Sequence, residues 1–362
     1  MVLQANGAIS LSNIQNEFTG TNPISLSEYY RNGSYVKYNS SGIPTSGTIS
    51  MSHFYNTRRL FVLNITASVL QANLSALLTA AGWNSDSFVE VNIASGVYLW
   101  SNNISVGGLN ISGIPNGLVI NNSGYIIGRG GDGGGARNNG ENGGPAIINS
   151  ATSVTLNNLT GAYIAGGGGG GGGGYQAGGG GGAGGGAGGY ATDEYDLTYR
   201  VAGGTGGAIG ASGTNGSVGD HLEESHAEAN QRGQGGSCGG SGGGVNIDSG
   251  SDRDPVGGGG GGGRILPGTG VDALVPGGTN EDWCGGFGGG PLQAGGAYGY
   301  YLYLSPTTVG GSGRNINGGG GGGGWGAAGG DGYFAGGTAG KSIQGISGIV
   351  LNNSGTIYGA TA

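Results

Sequence analysis

The chain has 362 residues, of which 98 are glycine and 9 are proline, and such a composition is by default typical of disordered chains. Disorder also requires high charge and few aromatic residues, whereas 9% of these residues are charged and 8% are aromatic, and the uninterrupted glycine runs exclude the collagen repeat. The net charge of −8 arises between positions 190 and 282, where thirteen acidic residues outnumber four arginines, and this argues against nucleic acid and anionic membranes as partners because both need a basic surface.

Three copies of a short repeat lie near the start of the chain, and in each copy apolar residues alternate with serines. The copies read AISLS at 8–12, PISLS at 23–27 and TISMS at 48–52. Each copy predicts an extended segment followed by one helical turn capped by its second serine, and Ser12 with Gln15 matches a capping box. Units of this size have little core of their own, so we expect residues 1–59 to fold against a partner as an attachment module.

An ordinary core pattern is confined to residues 60–129. The apolar run 60–65 predicts a strand, and the apolar spacing over 68–81 predicts a helix that Gly82 ends as a C-cap. Residues 87–100 then alternate between apolar and polar side chains, which is typical of strands. We interpret this segment as a small α+β shoulder domain.

A second, longer repeat frames the glycine-rich part of the chain. Its copies read LVINNSGYIIG at 118–128, VTLNNLTGAYIA at 154–165 and IVLNNSGTIYG at 349–359. In every copy two asparagines and a glycine separate two apolar runs, which predicts a tight turn that joins two short strands. The last copy is expected to form a closing strand pair over 349–362.

Long runs of pure glycine interrupt the chain between the second and third copies. They span 166–174, 178–182, 257–263 and 318–324. Flexible linkers usually mix glycine with serine, so these runs predict a different structure. Without Cβ atoms, such runs can lie side by side as extended helices with three residues per turn and satisfy their peptide groups through neighbouring runs. We therefore predict a polyglycine II sandwich within residues 130–348.

The segments between the runs are candidate binding loops, because loops on a rigid scaffold often carry function. These segments are 190–201, 211–234, 245–256, 264–283 and 291–316. They are rich in tyrosine and tryptophan among small polar residues, as antibody contact surfaces are. The predicted receptor-binding residues are Tyr195, Tyr199, Trp283, Tyr298, Tyr300, Tyr301 and Tyr303. Tyr163, Tyr175 and Trp325 border the runs directly, so they either belong to this surface or pack against the glycine backbone.

No catalytic residue, cofactor or metal site is predicted. His221 and His226 lie five residues apart, which misses the spacing of a zinc-binding helix. The acidic pair Asp193 and Asp196 has no second feature that would support glycan cleavage. No apolar stretch is long enough to insert into a membrane. Two cysteines, Cys238 and Cys284, either pair or stay as free thiols, and we expect free thiols in a protein assembled in a cytoplasm.

Several stretches resemble phage tail proteins. Residues 9–18 (ISLSNIQNEF), 22–30 (NPISLSEYY) and 43–50 (IPTSGTIS) look like a module common in tailed-phage structural proteins. Residues 121–131 (NNSGYIIGRGG), which precede the polyglycine sequence, are similar to glycine-rich phage receptor-binding proteins, above all the distal long-tail-fibre adhesins of T-even-like phages. The resemblance implies a polyglycine II sandwich with variable tip loops that recognise an outer-membrane protein or a surface glycan. The chain departs from those adhesins in its N-terminal module and its longer loops.

The predicted fold is mainly β and irregular, with four parts in chain order. These are an attachment module (1–59) for a fibre or tail-tip protein, the shoulder (60–129), the glycine sandwich (130–348) and the closing strands (349–362). The predicted function is that of a non-enzymatic receptor-binding protein at the virion tail tip. The alternatives are a structural tail component without receptor binding and a glycan depolymerase.

Overall fold

The computed structural model describes the N-terminal half of the chain almost completely and the C-terminal 44 residues throughout. The described residues are 3–36, 42–85, 87–115, 117–174, 177–192, 200–206, 214, 240, 245–246, 282–284, 293, 299–300 and 319–362. The fold is mainly β with few helices, which confirms the predicted class at that level. The helical segments are α1 (Leu11–Phe18), α2 (Leu74–Ala80) and the 3₁₀ turns Leu26–Tyr29, Met51–Phe54 and Ile346–Gly348. No helix in these ranges has the length and apolarity needed to span a membrane.

The strands of the described residues are all short. The strands before residue 166 are β1 (Leu60–Ile65), β2 (Val69–Leu70), β3 (Ala72–Asn73), β4 (Phe88–Ile93), β5 (Tyr98–Trp100), β6 (Leu109–Ile111), β7 (Leu118–Asn122), β8 (Tyr125–Ile127), β9 (Ile147–Asn149), β10 (Val154–Asn158) and β11 (Tyr163–Ala165). The later strands are β12 (Ala191–Thr192), β13 (Arg200–Val201), β14 (Val245–Asn246), β15 (Asp282–Cys284), β16 (Gly299–Tyr300), β17 (Ile343–Gln344), β18 (Ile349–Asn353) and β19 (Thr356–Tyr358).

Most of these strands wind into a three-sided parallel β-solenoid. The first sheet has the order β1-β4-β7-β10-β18, the second β19-β11-β8-β5-β2 and the third β17-β9-β6-β3, and every pair is parallel. Successive strands enter different sheets, so one coil of chain supplies one strand to each side. Alternate side chains point inward, and they join in one buried core that includes Val91, Leu99, Leu109, Ile120, Ile126, Ile147 and Leu156.

The solenoid changes the predicted organisation in three ways. Its sheets take strands from both sides of residue 129 and of residue 348, so neither predicted boundary separates two sheets. The helix predicted over 68–81 begins only at Leu74, because Val69–Leu70 and Ala72–Asn73 pair with β5 and β6 as strands. The two strands of each long repeat also do not pair with each other: the turn sends them to different sheets, and the copies stack in parallel.

Stacked asparagines hold the three copies of the long repeat in register. The outer ladder contains Asn64, Asn92, Asn121, Asn157 and Asn352. Each amide nitrogen donates to the side-chain oxygen of the asparagine in the preceding coil, at 2.7–3.0 Å. The inner ladder consists of Asn122, Asn158 and Asn353, joined at 2.9 and 2.8 Å. A slip by one residue would break both ladders, so they specify the register of the sheet.

Two insertions leave this solenoid, one between β8 and β9 and one between β11 and β17, and both contain glycine runs. The run 166–174 lies at the centre of a bundle formed by these runs. All nine of its N–H groups donate to backbone carbonyls, and all nine of its carbonyls accept from backbone N–H groups, at 2.7–3.0 Å. The partners repeat every three residues. Apart from Tyr358, which accepts from Gly166, they lie in six neighbouring segments: 131–137, 138–144, 177–183, 320–326, 327–330 and 334–340.

The central run must be glycine because its neighbours lie too close for side chains. From Gly166 to Gly173, a Cβ atom at any position would overlap a backbone carbonyl oxygen of an adjacent segment. At Gly170, for example, the oxygen belongs to Asp132, and at Gly171 to Gly320. The glycines are therefore required by close packing and not by chain flexibility.

The N-terminal module has a compact core of its own, unlike the expectation from its size. Ile14, Tyr29, Val36, Ile43 and Phe54 are fully buried there. The helical turns are also capped two residues earlier than predicted, by the first serine of each repeat. These N-cap residues are Ser10, Ser25 and Ser50.

We expect the inner asparagine ladder to contribute more stability than the outer one. Asn158→Ala leaves the buried amide of Asn122 without its acceptor, at a cost of about 1–3 kcal/mol in the free energy of unfolding. Asn352→Ala is the matched control, because this exposed residue lies at the end of its ladder and its neighbour can bond to water. Urea unfolding followed by tryptophan fluorescence measures both. Equal losses in the two variants would contradict the assignment.

Gly170→Ala should disrupt the bundle, because the new methyl group overlaps the Asp132 carbonyl oxygen. Gly161→Ala is the control: its methyl group meets open space, and its φ of +85° adds only about 1–2 kcal/mol of local strain. Hydrogen exchange followed by mass spectrometry should show protected amides over 166–174 in the parent and in Gly161→Ala, but rapid exchange in Gly170→Ala. Rapid exchange of this run in the parent chain would refute the hydrogen-bonded bundle.

Candidate functional site

The glycine bundle has one end at the solenoid and one end away from it. The run 166–174 starts at the solenoid, where Gly166 donates to the carbonyl of Tyr358 in β19 at 2.9 Å. It ends at Gly174, whose carbonyl accepts from the backbone of Arg137 at 2.9 Å. Each neighbouring segment bonds to this run at every third residue along its length. The turns at 135–138 and 332–334 therefore lie at this same distal end.

Two adjacent aromatic residues, exposed Tyr333 and half-buried Phe334, occupy one of these distal turns. The Tyr333 side chain is 51% exposed, and its ring meets that of Phe334 edge to face, with centroids 5.1 Å apart. Phe334 itself starts the next run, because its N–H donates to Gly173 at 3.0 Å. The Asp331 carboxylate accepts from the N–H of Gly336 at 2.9 Å and closes the turn. The turn thus holds the Tyr333 ring exposed, packed against the half-buried Phe334 ring.

A second distal turn presents polar groups. Asn138 closes this turn through its N–H, which donates to Gly135 at 2.9 Å, and its side-chain amide donates to the Tyr190 hydroxyl at 3.2 Å. The Tyr190 ring packs over Gly135, where any Cβ atom would overlap it. Tyr190 directly precedes β12, so this turn supports the base of the loop that follows.

The loop after Tyr190 has its two ends joined by backbone pairing. β12 and β13 are antiparallel, with Ala191 opposite Val201 and Thr192 opposite Arg200. The segment between them carries two of the predicted receptor-binding residues, Tyr195 and Tyr199, which lie outside the described residues.

Two other predicted residues are brought into register although they are far apart in sequence. β14, β15 and β16 form an antiparallel sheet, in which Trp283 lies opposite Tyr300 on one side and opposite Val245 on the other. Three of the predicted loops therefore meet at one small sheet. The remaining predicted residues, Tyr298, Tyr301 and Tyr303, and the cysteine Cys238 lie outside the described residues.

A charged cluster ties three segments of the bundle together. The Arg129 guanidinium binds both oxygens of Asp132 at 2.7 and 2.8 Å and one oxygen of Glu141 at 2.8 Å. Asp132 also accepts from the N–H of Ala187 at 2.8 Å. Burial lowers the pKa of Arg129, but the hydrogen bonds and charges of Asp132 and Glu141 outweigh burial and raise this pKa above its usual value. These charged groups bind each other and neighbouring backbone, so their role is to stabilise the bundle.

A buried aromatic cluster joins the bundle to the solenoid. Trp325 is fully buried against Ile127 and Tyr163, and Tyr163 is itself 8% exposed. The ring of Tyr163 stacks on that of Tyr125 at 4.3 Å, within a column of tyrosines along the second sheet. Of the two roles that the sequence left open for Tyr163 and Trp325, packing is the one observed. Tyr175 lies outside the described residues.

The described surface offers no metal site, since no cluster of three or more histidine, cysteine or acidic side chains occurs among the residues that the structure places. The recognisable feature of the bundle is instead its distal end, with the aromatic pair Tyr333 and Phe334.

The family model that matches this chain is that of the phage tail fibre adhesin Gp38, and it covers residues 60–255, more than half of the sequence. The chain belongs to the Gp38 family of phage tail fibre adhesins. This confirms the predicted resemblance and the predicted assignment to the bacteriophage tail fibre. The match begins at the first residue of β1, so the N-terminal module of this adhesin lies before the matched range.

Among solved structures, the adhesin is similar to the crystal structure of the gp37-gp38 adhesin tip complex of the bacteriophage S16 long tail fiber. The two share 19% sequence identity over 88% of each chain, with a TM-score of 0.44. No curated protein gives a significant match to the adhesin.

Tyr333 was not among the predicted binding residues, and we expect it to contribute to host binding. Exposed aromatic side chains on rigid turns are typical binding hot spots, so Tyr333→Ala should weaken adsorption of the purified adhesin to host bacteria by roughly tenfold or more. Leu159→Ala, which removes a 40% exposed side chain from the solenoid, is the control and should leave adsorption unchanged. Adsorption is measured with labelled protein, and an unaltered Tyr333→Ala binding curve would remove this residue from the site.

Proposed function

We propose that this adhesin recognises the surface of the host bacterium through loops held at the distal end of a polyglycine II sandwich. The observation that carries the proposal is the central run 166–174, in which every peptide group is hydrogen-bonded to a neighbouring run. A scaffold bonded in this way keeps its turns in place without side-chain packing. The side chains of the loops are then not needed for stability and can contact a receptor.

The three-residue repeat of the hydrogen bonds supports polyglycine II conformation for the runs. In a helix with three residues per turn, every third peptide faces the same neighbour, and this periodicity is found along 166–174. At about 3.1 Å per residue, nine residues extend roughly 28 Å. This length places the distal turns well beyond the solenoid.

The proposed receptor-binding residues are the aromatic side chains of the loops, Tyr195, Tyr199, Trp283, Tyr298, Tyr300, Tyr301 and Tyr303, together with Tyr333 and Phe334. The register of Trp283 with Tyr300 supports one shared surface from separate loops. The receptor is an outer-membrane protein or a surface polysaccharide. The acidic residues concentrated at 190–282 favour a protein with basic loops or a neutral sugar over phosphate-rich lipopolysaccharide.

Residues 1–59 are proposed to attach the adhesin to a tail-fibre or tail-tip protein. The module folds around its own core and lies before the range that the family model matches. Attachment and recognition are thus assigned to different parts of the chain. We further propose that the adhesin assembles in the host cytoplasm and acts without catalysis.

Loop exchange tests the proposal. Replacing residues 193–199, whose ends are joined by the β12–β13 pair, with the loop of an adhesin from a phage of different host range should redirect adsorption while the thermal unfolding temperature stays the same. Replacing residues 103–106, a turn of the solenoid, is the control and should leave host range unchanged. Exchange of 291–316 is expected to act like exchange of 193–199.

Each alternative predicts a different result for the purified adhesin. A structural tail component would neither bind host cells when purified nor block phage adsorption. A depolymerase would release reducing sugar from host polysaccharide, and loss of one loop carboxylate, such as Asp193→Asn or Asp196→Asn, would abolish this release. Binding without sugar release is the outcome that the proposal requires.

A further inference from the structure

Three dipeptides of the bundle bind an adjacent segment in the same way. Each consists of an aspartate or an asparagine followed by glycine, and we call these dipeptides clips: Asp132–Gly133, Asn139–Gly140 and Asn142–Gly143. In every clip the side-chain oxygen accepts a hydrogen bond from the N–H of one residue, and the N–H of the glycine donates to the carbonyl of that same residue. The bound residues are Ala187, Ala335 and Thr338, in that order, and the hydrogen bonds measure 2.8–3.1 Å.

The glycine of each clip also lies against a third segment. A Cβ atom on this glycine would overlap a backbone carbonyl oxygen there. The oxygens that face Gly133, Gly140 and Gly143 belong to Gly179, Gly170 and Gly167, respectively. In a helix with three residues per turn, a slip by one residue turns every side chain by a third of a turn. Such a slip would move the side-chain oxygen away from its partner and would place a side chain where only glycine fits.

Backbone pairing alone does not specify how glycine segments face each other. The peptide groups of a pure glycine run are all alike, so a slip by one residue combined with a rotation restores the same hydrogen bonds. Side chains that bind a neighbouring backbone remove this ambiguity, because they occur only at certain positions. Asn139 and Asn142 are three residues apart, and so are their partners Ala335 and Thr338. Both clips therefore lie on the faces that the two segments turn to each other.

The two asparagine clips also oppose rotation of the segment that they bind. The N–H groups of Phe334, Gly337 and Gly340 all donate to the central run, so these hydrogen bonds lie on one face of the segment. Ala335 and Thr338 lie a third of a turn away, and the clips bind both the N–H and the carbonyl of each. Hydrogen bonds on two faces hold the segment in one orientation about its own axis.

This orientation bears on binding because the segment starts beside an exposed aromatic residue. Ala335 lies two positions after Tyr333, whose side chain is 51% exposed at the distal end. A rotation of the segment would redirect the Tyr333 ring. We propose that Asn139 and Asn142 are positioning residues for receptor binding, which hold Tyr333 in its outward orientation through the segment that they bind. This inference rests on the proposed function and on the role of Tyr333 in it.

Removal of the two side-chain oxygens tests the proposal. Both asparagines are exposed, so the double variant Asn139→Ala with Asn142→Ala leaves no buried cavity. Its adsorption to host bacteria, measured with labelled protein well below the unfolding temperature, should fall roughly tenfold, as for the loss of one aromatic hot spot. The double variant Asn139→Asp with Asn142→Asp should restore adsorption, since a carboxylate oxygen of Asp132 already serves as the acceptor in the third clip. Thr338→Ala is the matched control: it keeps the N–H and the carbonyl that the clip binds, so adsorption should stay unchanged.

A fluorine probe in the turn measures the orientation itself. Trifluoromethylphenylalanine is placed at position 333 of the full chain, and its fluorine resonance is recorded by NMR. The parent and the aspartate double variant should give one resonance at the same chemical shift, whereas the alanine double variant should give a shifted or split resonance. Hydrogen exchange over 166–174 should stay slow in all of them, which excludes general loss of the bundle as the cause.

Several results would overturn the positioning role. These are unchanged adsorption or an unchanged fluorine resonance in the alanine double variant, a loss of adsorption that the aspartates do not restore, and rapid exchange of the central run in the alanine double variant. A merely stabilising role would lower the unfolding temperature and leave adsorption and the resonance as they are. If the parent adhesin does not bind host cells, the proposed function fails, while the fluorine spectra still decide whether the clips orient the turn. The two failures are therefore distinguishable.

Discussion

The hydrogen bond between the backbones of adjacent glycine runs is the interaction on which this structure depends. A run without internal hydrogen bonds must place every peptide group on a neighbour, and run 166–174 does so at each of its nine residues. Ordering one residue costs about 1–2 kcal/mol in backbone entropy, and one net hydrogen bond contributes about 0.5–1.5 kcal/mol. The entropy cost per residue and the gain per hydrogen bond are of similar size, so nearly every hydrogen bond must form. Only glycine permits the necessary approach along the central run.

The solenoid fixes the two ends of the glycine-rich insertion that forms most of the bundle. The longer insertion leaves after Ala165 and returns at Ile343, and the strands at both points belong to the same stack of sheets. The ends are held by a hydrophobic core, by the asparagine ladders and by buried Trp325 at the junction. Register errors in the solenoid would move the starting points of the glycine runs relative to one another. The ladders therefore act on the bundle as well as on the sheet that contains them.

Local features of this fold were predictable from sequence, and the pairing of distant segments was not. The serine repeats, the asparagine repeats and the glycine runs predicted helical turns, short strands and extended runs, all of which are local. They did not predict that the asparagine copies stack in parallel, because the outer ladder joins Asn157 to Asn352, which are 195 positions apart in the sequence. The helix predicted over 68–81 was too long at its start, because its first residues pair as parallel strands instead. Tyr333 and Phe334 were missed because they interrupt a glycine-rich stretch too briefly to resemble a loop, although two adjacent aromatics between glycines are a usable signal.

In the proposed mode of binding, a core made of peptide groups separates recognition from stability. In an ordinary core, changing a loop shifts the side chains that pack beneath it, so specificity and stability change together. Here the contacts within the central run are the same whatever sequence joins the runs, and Gly170 bonds to Glu141 and Gly337 through backbone atoms alone. The constraint left on a loop is the spacing of its two ends, as in the pairing of Ala191 with Val201. The bundle can accommodate any loop that meets this spacing, so under the proposed mode of binding such an adhesin can acquire new binding residues while its scaffold stays unchanged.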